Sequence, residues 1–225
     1  MDLAKNLSGS FEFAKKLFSD FGRLVILIIL DLIPLVNFIV VGYAARVLRE
    51  SPGVDAPPKL EKYGELFVNG LKIFFATLIY MMLPLIFIAA GVGSFVGSIM
   101  MAGSSNFMRG RSGELLMSGT GVVLALIGVI LAFVMLILHS AGIAHMIKTG
   151  KFSKAFAFSE ILNVIGKVGW SKYIAWIILV AIIYAIIGLV SSIPIVGWLI
   201  SLIVAPVLAT FIYRSLGLLY ADGTQ

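Results

Sequence analysis

The 225-residue chain has no cysteine, so disulfides, thiolate nucleophiles and cysteine-built metal sites are excluded. It has two histidines, His139 and His145, whose spacing puts them on different faces of a helix. An i, i+4 metal pair is therefore ruled out, and no Asp or Glu stands beside either at a spacing suited to a catalytic triad. Gly91-Val92-Gly93 is followed by no helix-opening GxGxxG pattern, and there is no P-loop. These absences lead us to expect no enzyme activity, no cofactor and no metal. Charge is also scarce. Asp, Glu, Lys and Arg make up 12% of the chain, against about 25% in an average soluble domain. So few charges cannot cover the surface of a soluble fold this large. A soluble enzyme, a disordered chain and a nucleic-acid module are set aside on this ground, and the net charge of +6 is read as cationic loops beside a membrane rather than as a nucleic-acid surface.

Apolar residues are abundant: 60% of the chain is hydrophobic and mean hydropathy is +1.09. They fall in five blocks. The first, Leu24 to Leu48, is interrupted by Asp31, Pro34 and Asn37. The others run from Leu66 to Val92, Val122 to Met146, Tyr173 to Val190 and Ile195 to Leu219. A helix needs about 20 residues to cross roughly 30 Å of hydrocarbon, and lipid leaves the backbone no hydrogen-bond partner but itself. The expected fold class is all-α: a polytopic helical integral membrane protein with about six membrane helical segments. Two Pro-turn hairpins, 24–48 and 173–219, join two spanning helices, 66–92 and 122–146. The Gly- and Ser-rich stretch 93–121 reads as an external loop. Two amphipathic stretches read as helices lying in the membrane plane. In 1–23 the apolar face is Phe11, Ala14, Leu17, Phe18 and Phe21; in 148–172 it is Phe158, Ile161, Leu162 and Ile165.

The cations set the expected topology. Lys5, Lys15, Lys16 and Arg23 precede the first block; Arg46, Arg49, Lys59, Lys62 and Lys72 follow it; Lys148, Lys151, Lys154, Lys167 and Lys172 cluster later. The positive-inside rule keeps all three groups cytoplasmic. The first block must then pass the membrane an even number of times, turning near Ile33–Asn37. Its arms of about 12 residues span roughly 18 Å, so it reads as a short or re-entrant hairpin. Both termini are expected in the cytoplasm, the N-terminus retained, and the protein in the plasma membrane. A weak internal repeat supports the hairpin, because Ile33-Pro34-Leu35-Val36-Asn37-Phe38 echoes Ile193-Pro194-Ile195-Val196-Gly197-Trp198.

Four polar residues in apolar surroundings form the candidate site. Asp31 reads either as a functional carboxylate or as a cap for the helix after Pro34. Asn37 reads as the cap of the helix that starts at Phe38. Arg46 reads as a snorkelling anchor, and His139 as polar glue between helices or a proton relay. The pairs Gly93/Gly97, Gly121/Ala125 and Gly128/Ala132 read as small-residue faces for close helix approach.

Pro34, Asn37, Gly42-Tyr43 and Arg46, followed by Pro57-Pro58, Gly64, Leu66-Phe67 and Gly70-Leu71, carry a resemblance. The chain resembles the uncharacterised polytopic membrane family known as domain of unknown function 4013, found in archaea and bacteria. Its Ile195–Gly217 stretch is similar to the usual ending of such proteins. Lys59-Leu60-Glu61-Lys62-Tyr63 departs from the acidic, Trp-containing stretch more usual there. The resemblance implies an integral membrane protein and supplies no catalytic residue. The expected function is non-enzymatic binding of membrane lipids or of a membrane-protein partner, including a second copy. The alternative is a small-solute or ion transporter or channel with a site between the two hairpins.

Overall fold

A computed structural model describes residues 2–102 and 111–224 of the chain. Every regular element among them is helical. The elements are α1 (Leu3–Lys15), a 3-10 turn (Lys16–Ser19), α2 (Phe21–Leu32), α3 (Phe38–Glu50), α4 (Tyr63–Ala102), α5 (Arg111–Thr149), a second 3-10 turn (Phe152–Phe156), α6 (Phe158–Val168), α7 (Trp170–Ser191) and α8 (Val196–Asp222). Four helices are long and apolar enough to cross a membrane, within Tyr63–Met100, Gly119–Thr149, Trp170–Ser191 and Val196–Asp222. α2 and α3, at 12 and 13 residues, are not, since each reaches only ~18–20 Å. Among the described residues the protein is therefore all-helical, with four membrane-length helices.

Expected boundaries change in three stretches. The loop expected over 93–121 is largely helix, because α4 continues to Ala102 and α5 begins at Arg111; residues 103–110 of that stretch lie outside the described residues. The single amphipathic helices expected over 1–23 and 148–172 are each broken. Asp20 stops the first and starts α2, accepting a hydrogen bond from the Arg23 amide as an N-cap. Gly169, at φ +96°, separates α6 from α7.

The chain divides into two compact units, Thr77–His139 and the remainder, Met1–Ala76 with Ser140–Gln225. The first is the middle of the α4–α5 pair. Its seam is set by glycines that let backbones touch. A Cβ at Gly91 would sit 2.5 Å from the Ala125 nitrogen, and one at Gly128 would sit 2.6 Å from an Ile88 side-chain carbon. Gly121 and Ala125 thus lie in the seam as expected. Gly93 and Gly97 do not, since each has open space where a Cβ would stand.

In the larger unit, α8 packs against α1, α2, α3, α6 and α7. Its core includes Phe13, Leu17, Leu27, Val40, Tyr43, Val47 and Leu66. Both amphipathic faces are split by this packing. Phe13, Ala14 and Leu17 of the N-terminal stretch are buried, whereas Phe11, Phe18 and Phe21 are exposed. In α6, Ile161, Val164, Ile165 and Val168 are buried, whereas Phe158 and Leu162 face outward. Most of α6's apolar face therefore meets protein, which corrects the expectation of a face laid wholly on the membrane.

The two Ile-Pro-X-Val turns share two backbone features. Leu35 has φ +69° and its counterpart Ile195 has φ +63°. Asn37 N donates to Ile33 O at 3.0 Å, and Gly197 N donates to Ile193 O at 2.9 Å. α3 and α8, the second arms, run parallel, because Gly217 meets Leu48 and Ser51 while Val207 packs on the cluster around Val40 and Tyr43. In that register the first tip stops ~13 Å short of the second. Positive φ is costly for a residue with a Cβ and more so for a β-branched one. We expect Leu35→Gly to raise stability by about 1 kcal/mol, read as a higher unfolding temperature in detergent. A lower temperature would show that the Leu35 side chain contributes more than its backbone costs.

Candidate functional site

The charged and polar side chains of the larger unit gather where the end of α3, the start of α4, the end of α5 and the end of α8 converge. The segment from Ser51 to Lys62 explains why they are needed. It is rich in proline, which has no N–H, and among its described carbonyls Lys62 O, which accepts from Leu66 N at 3.1 Å, is the one with a local backbone partner. Side chains supply the donors. Arg23 Nη1 donates to Pro57 O at 2.7 Å and Pro58 O at 3.0 Å. The Tyr43 hydroxyl donates to Pro58 O at 3.0 Å, and Lys16 donates to Asp55 O at 2.6 Å. Arg46 Nη1 donates to Lys59 O at 3.3 Å and Glu61 O at 2.9 Å. Two further cations close the end of α3. Arg214 donates to the Ser51 hydroxyl at 3.0 Å, and Lys148 donates to the carbonyls of Arg49 and Ser51. Cations at a helix C-terminus meet the negative end of its dipole. The Arg214 guanidinium also lies 4.4 Å from the centre of the Phe13 ring.

Beside this loop is a cavity of about 370 Å³ lined by Arg46, Arg49, Glu50, Pro58, Lys59, Glu61, Lys62 and Glu65. Glu65 bonds Arg49 at 2.9 Å and lies 3.9 Å from Arg46 Nη2. The Arg46 side chain is 10% exposed.

A second cavity, of about 420 Å³, is lined by His145, Ser159, Glu160, Asn163, Val164, Tyr220 and Thr224. Here a carboxylate, an imidazole and a phenol form a chain. His145 Nε2 is 2.7 Å from Glu160 Oε2, and Nδ1 is 2.6 Å from the Tyr220 hydroxyl. A carboxylate only accepts, so in the neutral ring Nε2 carries the proton and Nδ1 accepts from Tyr220. Hydrogen bonds from Lys154 and then from His145 hold the Glu160 carboxyl below the usual range. The chain pins α6 to the ends of α5 and α8.

A third polar cluster joins the two ends of the sequence. Asn6 Nδ2 donates to Ser215 O at 3.1 Å, while Asn6 Oδ1 accepts from the Ser215 hydroxyl at 2.7 Å and from Ser10 at 3.3 Å. Trp176 Nε1 donates to the Ser215 hydroxyl at 2.7 Å. All four residues are buried.

The four residues expected to form the site do not come together. Asp31 lies in the last turn of α2, half-buried, and precedes the turn instead of capping α3. Asn37 occupies the N-cap position of α3 but has helical φ and ψ and makes no side-chain capping bond. The cap expected of it is absent because the amides it would serve are already bonded, Ile39 N to Val36 O and Val40 N to Asn37 O, each at 2.9 Å. Arg46 is not a snorkelling anchor reaching for water; it is buried and organises the proline-rich loop. His139 lies in the smaller unit, with Nε2 2.8 Å from the Thr77 hydroxyl and its ring edge-on to Tyr80. The Thr77 bond is a polar contact between α4 and α5.

Asn6, Glu160, Tyr220 and Arg214 were not among the site residues expected from the sequence, and His145 was set aside. Only Arg214 carried a local signal, as the sole cation in the last apolar block.

A family model described as "Protein of unknown function (DUF4013)" matches residues 26–196. The match ends before most of the Ile195–Gly217 stretch. No curated protein and no solved structure matches the chain.

Proposed function

The chain belongs to the DUF4013 family, whose function is unknown, and on that premise we propose that it is a non-enzymatic, multi-pass membrane protein that binds lipid. The observation that carries this reading is the outward aromatic surface of its short N-terminal helices. Phe11, Phe18 and Phe21 are all exposed, Phe21 at 72%. Exposed Lys15 falls between Phe11 and Phe18 at helical spacing. Aromatic rings beside lysines suit the boundary between acyl chains and headgroups. Phe158 and Leu162 of α6 offer a second such surface.

The expected sidedness has physical support. The Asn6–Ser215 bonds put α1 beside the C-terminal half of α8, and Lys172 pairs with Asp222. The cationic segments therefore gather at one end of the larger unit. That fits a cytoplasmic face carrying both termini, in a plasma membrane. A membrane-protein partner or a second copy of the chain would compete with lipid for the same rings.

The test replaces Phe11, Phe18 and Phe21 together by serine, all at exposed positions. Co-purifying phospholipid is counted per protein by phosphorus assay after mild detergent extraction. The variant should retain at most half the wild-type lipid at an unchanged unfolding temperature. Equal lipid counts would overturn the reading.

A further inference from the structure

The Arg46 side chain is 10% exposed, and among the described residues only one of its terminal nitrogens makes a hydrogen bond, the other being held by charge alone toward Glu65. Nη1 is fixed by the carbonyls of Lys59 and Glu61. The nearest carboxylate oxygen to Nη2 is that of Glu65 at 3.9 Å, beyond hydrogen-bond reach, and the other Glu65 oxygen is taken by Arg49. Arg46 lines the cavity together with the exposed lysines 59 and 62.

We infer that this cavity is a receptor for a single phosphate group, with Arg46 Nη2 as the oriented donor and Lys59 and Lys62 as the capturing cations. The inference deepens the lipid-binding reading by naming the chemistry that would be recognised.

Three observations support it. An arginine whose orientation is already fixed gives its remaining N–H groups to an anion with little further ordering cost, and guanidinium geometry matches phosphate oxygens. The volume of about 370 Å³ lies within the usual range for ligand pockets and leaves room for more than the phosphate itself. Lys62 and Glu65 flank the start of α4, where a helix of membrane-crossing length begins. Headgroup phosphates would lie at that level, and the positive end of the α4 dipole adds to the attraction.

The carboxylates narrow the class. Glu50, Glu61 and Glu65 line the same cavity, leaving it one positive charge in excess, so a polyanion such as pyrophosphate would meet repulsion. One phosphate carrying a hydroxyl or ammonium neighbour fits, either as a phospholipid headgroup or as a soluble phosphate.

Native mass spectrometry of the full chain in maltoside micelles tests this with phosphatidylglycerol and, separately, inorganic phosphate. The double variant Lys59→Gln/Lys62→Gln, at exposed positions, should lower apparent affinity at least tenfold. Arg46→Lys, which keeps the charge but loses the fork, should do the same. If that variant does not fold, the lysine pair alone decides. Phosphatidylglycerol binding that responds to the variants, with no phosphate binding, supports the site and assigns it to a headgroup. Phosphate binding of equal strength that responds to the same variants supports the site and assigns it to a soluble ligand. Binding of neither probe, or binding within twofold of wild type in the lysine variant, overturns the inference. The lipid count of the phenylalanine variant is independent of this cavity, so failure here leaves the broader reading standing, and the reverse holds as well.

Discussion

Gly42→Ala should abolish the folded state or lower its stability by about 3 kcal/mol or more. A Cβ at Gly42 would lie 1.8 Å from the Leu66 carbonyl oxygen and 2.5 Å from its carbon. The obstacle is backbone, so no rotamer change relieves it. The contact is reciprocal, because a Cβ at Gly70 would lie 1.9 Å from the Phe38 carbonyl oxygen. Each helix thus presents a glycine to the other's backbone, four residues apart along both chains. The cost would spread, since Tyr43, Val47 and Leu66 belong to one buried cluster and a forced separation of α3 from α4 would loosen all of it. Gly64→Ala is the matched control. It adds the same atom to the start of α4 with nothing within 4 Å, and should be neutral or stabilising by up to about 1 kcal/mol from helix propensity. Thermal unfolding followed by circular dichroism in maltoside distinguishes them. A Gly42→Ala protein as stable as the Gly64→Ala protein would mean that α3 and α4 do not meet at this distance.

The second large effect is expected at Asn6. Asn6→Ala removes one donor and one acceptor from a buried cluster, stripping partners from the Ser10 and Ser215 hydroxyls and from Ser215 O. Losing one partner in a buried network is more costly than losing the whole network, because the survivors stay buried without bonds. About 2–4 kcal/mol is expected, falling mostly on the attachment of α1. Limited trypsin digestion should show it, with cleavage at Lys5, Lys15 and Lys16 at least tenfold faster than in wild type. Unchanged cleavage would mean that Phe13 and Leu17 hold α1 without help from its polar face.

The sequence made the hairpins readable for a local reason. Pro34 and Pro194 stop helices wherever they stand after an apolar run, and in both turns the residue after the proline has a positive φ. The long helices were readable from their apolar length alone. The 93–121 stretch misled because glycine and serine favour loops in isolation, whereas here Gly121 serves a close helix seam and Gly93, Gly97 and Gly119 sit within long helices. The amphipathic faces were found at the right spacing but given the wrong neighbour. Periodicity reports that Leu17 and Ile161 are to be covered, and only the tertiary fold tells whether protein or lipid covers them. Arg46 stood out as a charge among apolar residues, yet its partners, the carbonyls of Lys59 and Glu61, belong to a loop that local sequence does not direct toward it. His145 was harder still, because its two partners lie 15 and 75 residues away.

The bond between Asn6 and Ser215 spans 209 positions of the chain. At translation speeds of about 5–20 residues per second, roughly 10–40 s separate the emergence of its two ends from the ribosome. Throughout that interval the first helix has its phenylalanines but not its polar socket. The polar side of α1 can be satisfied only once the last helix has been made.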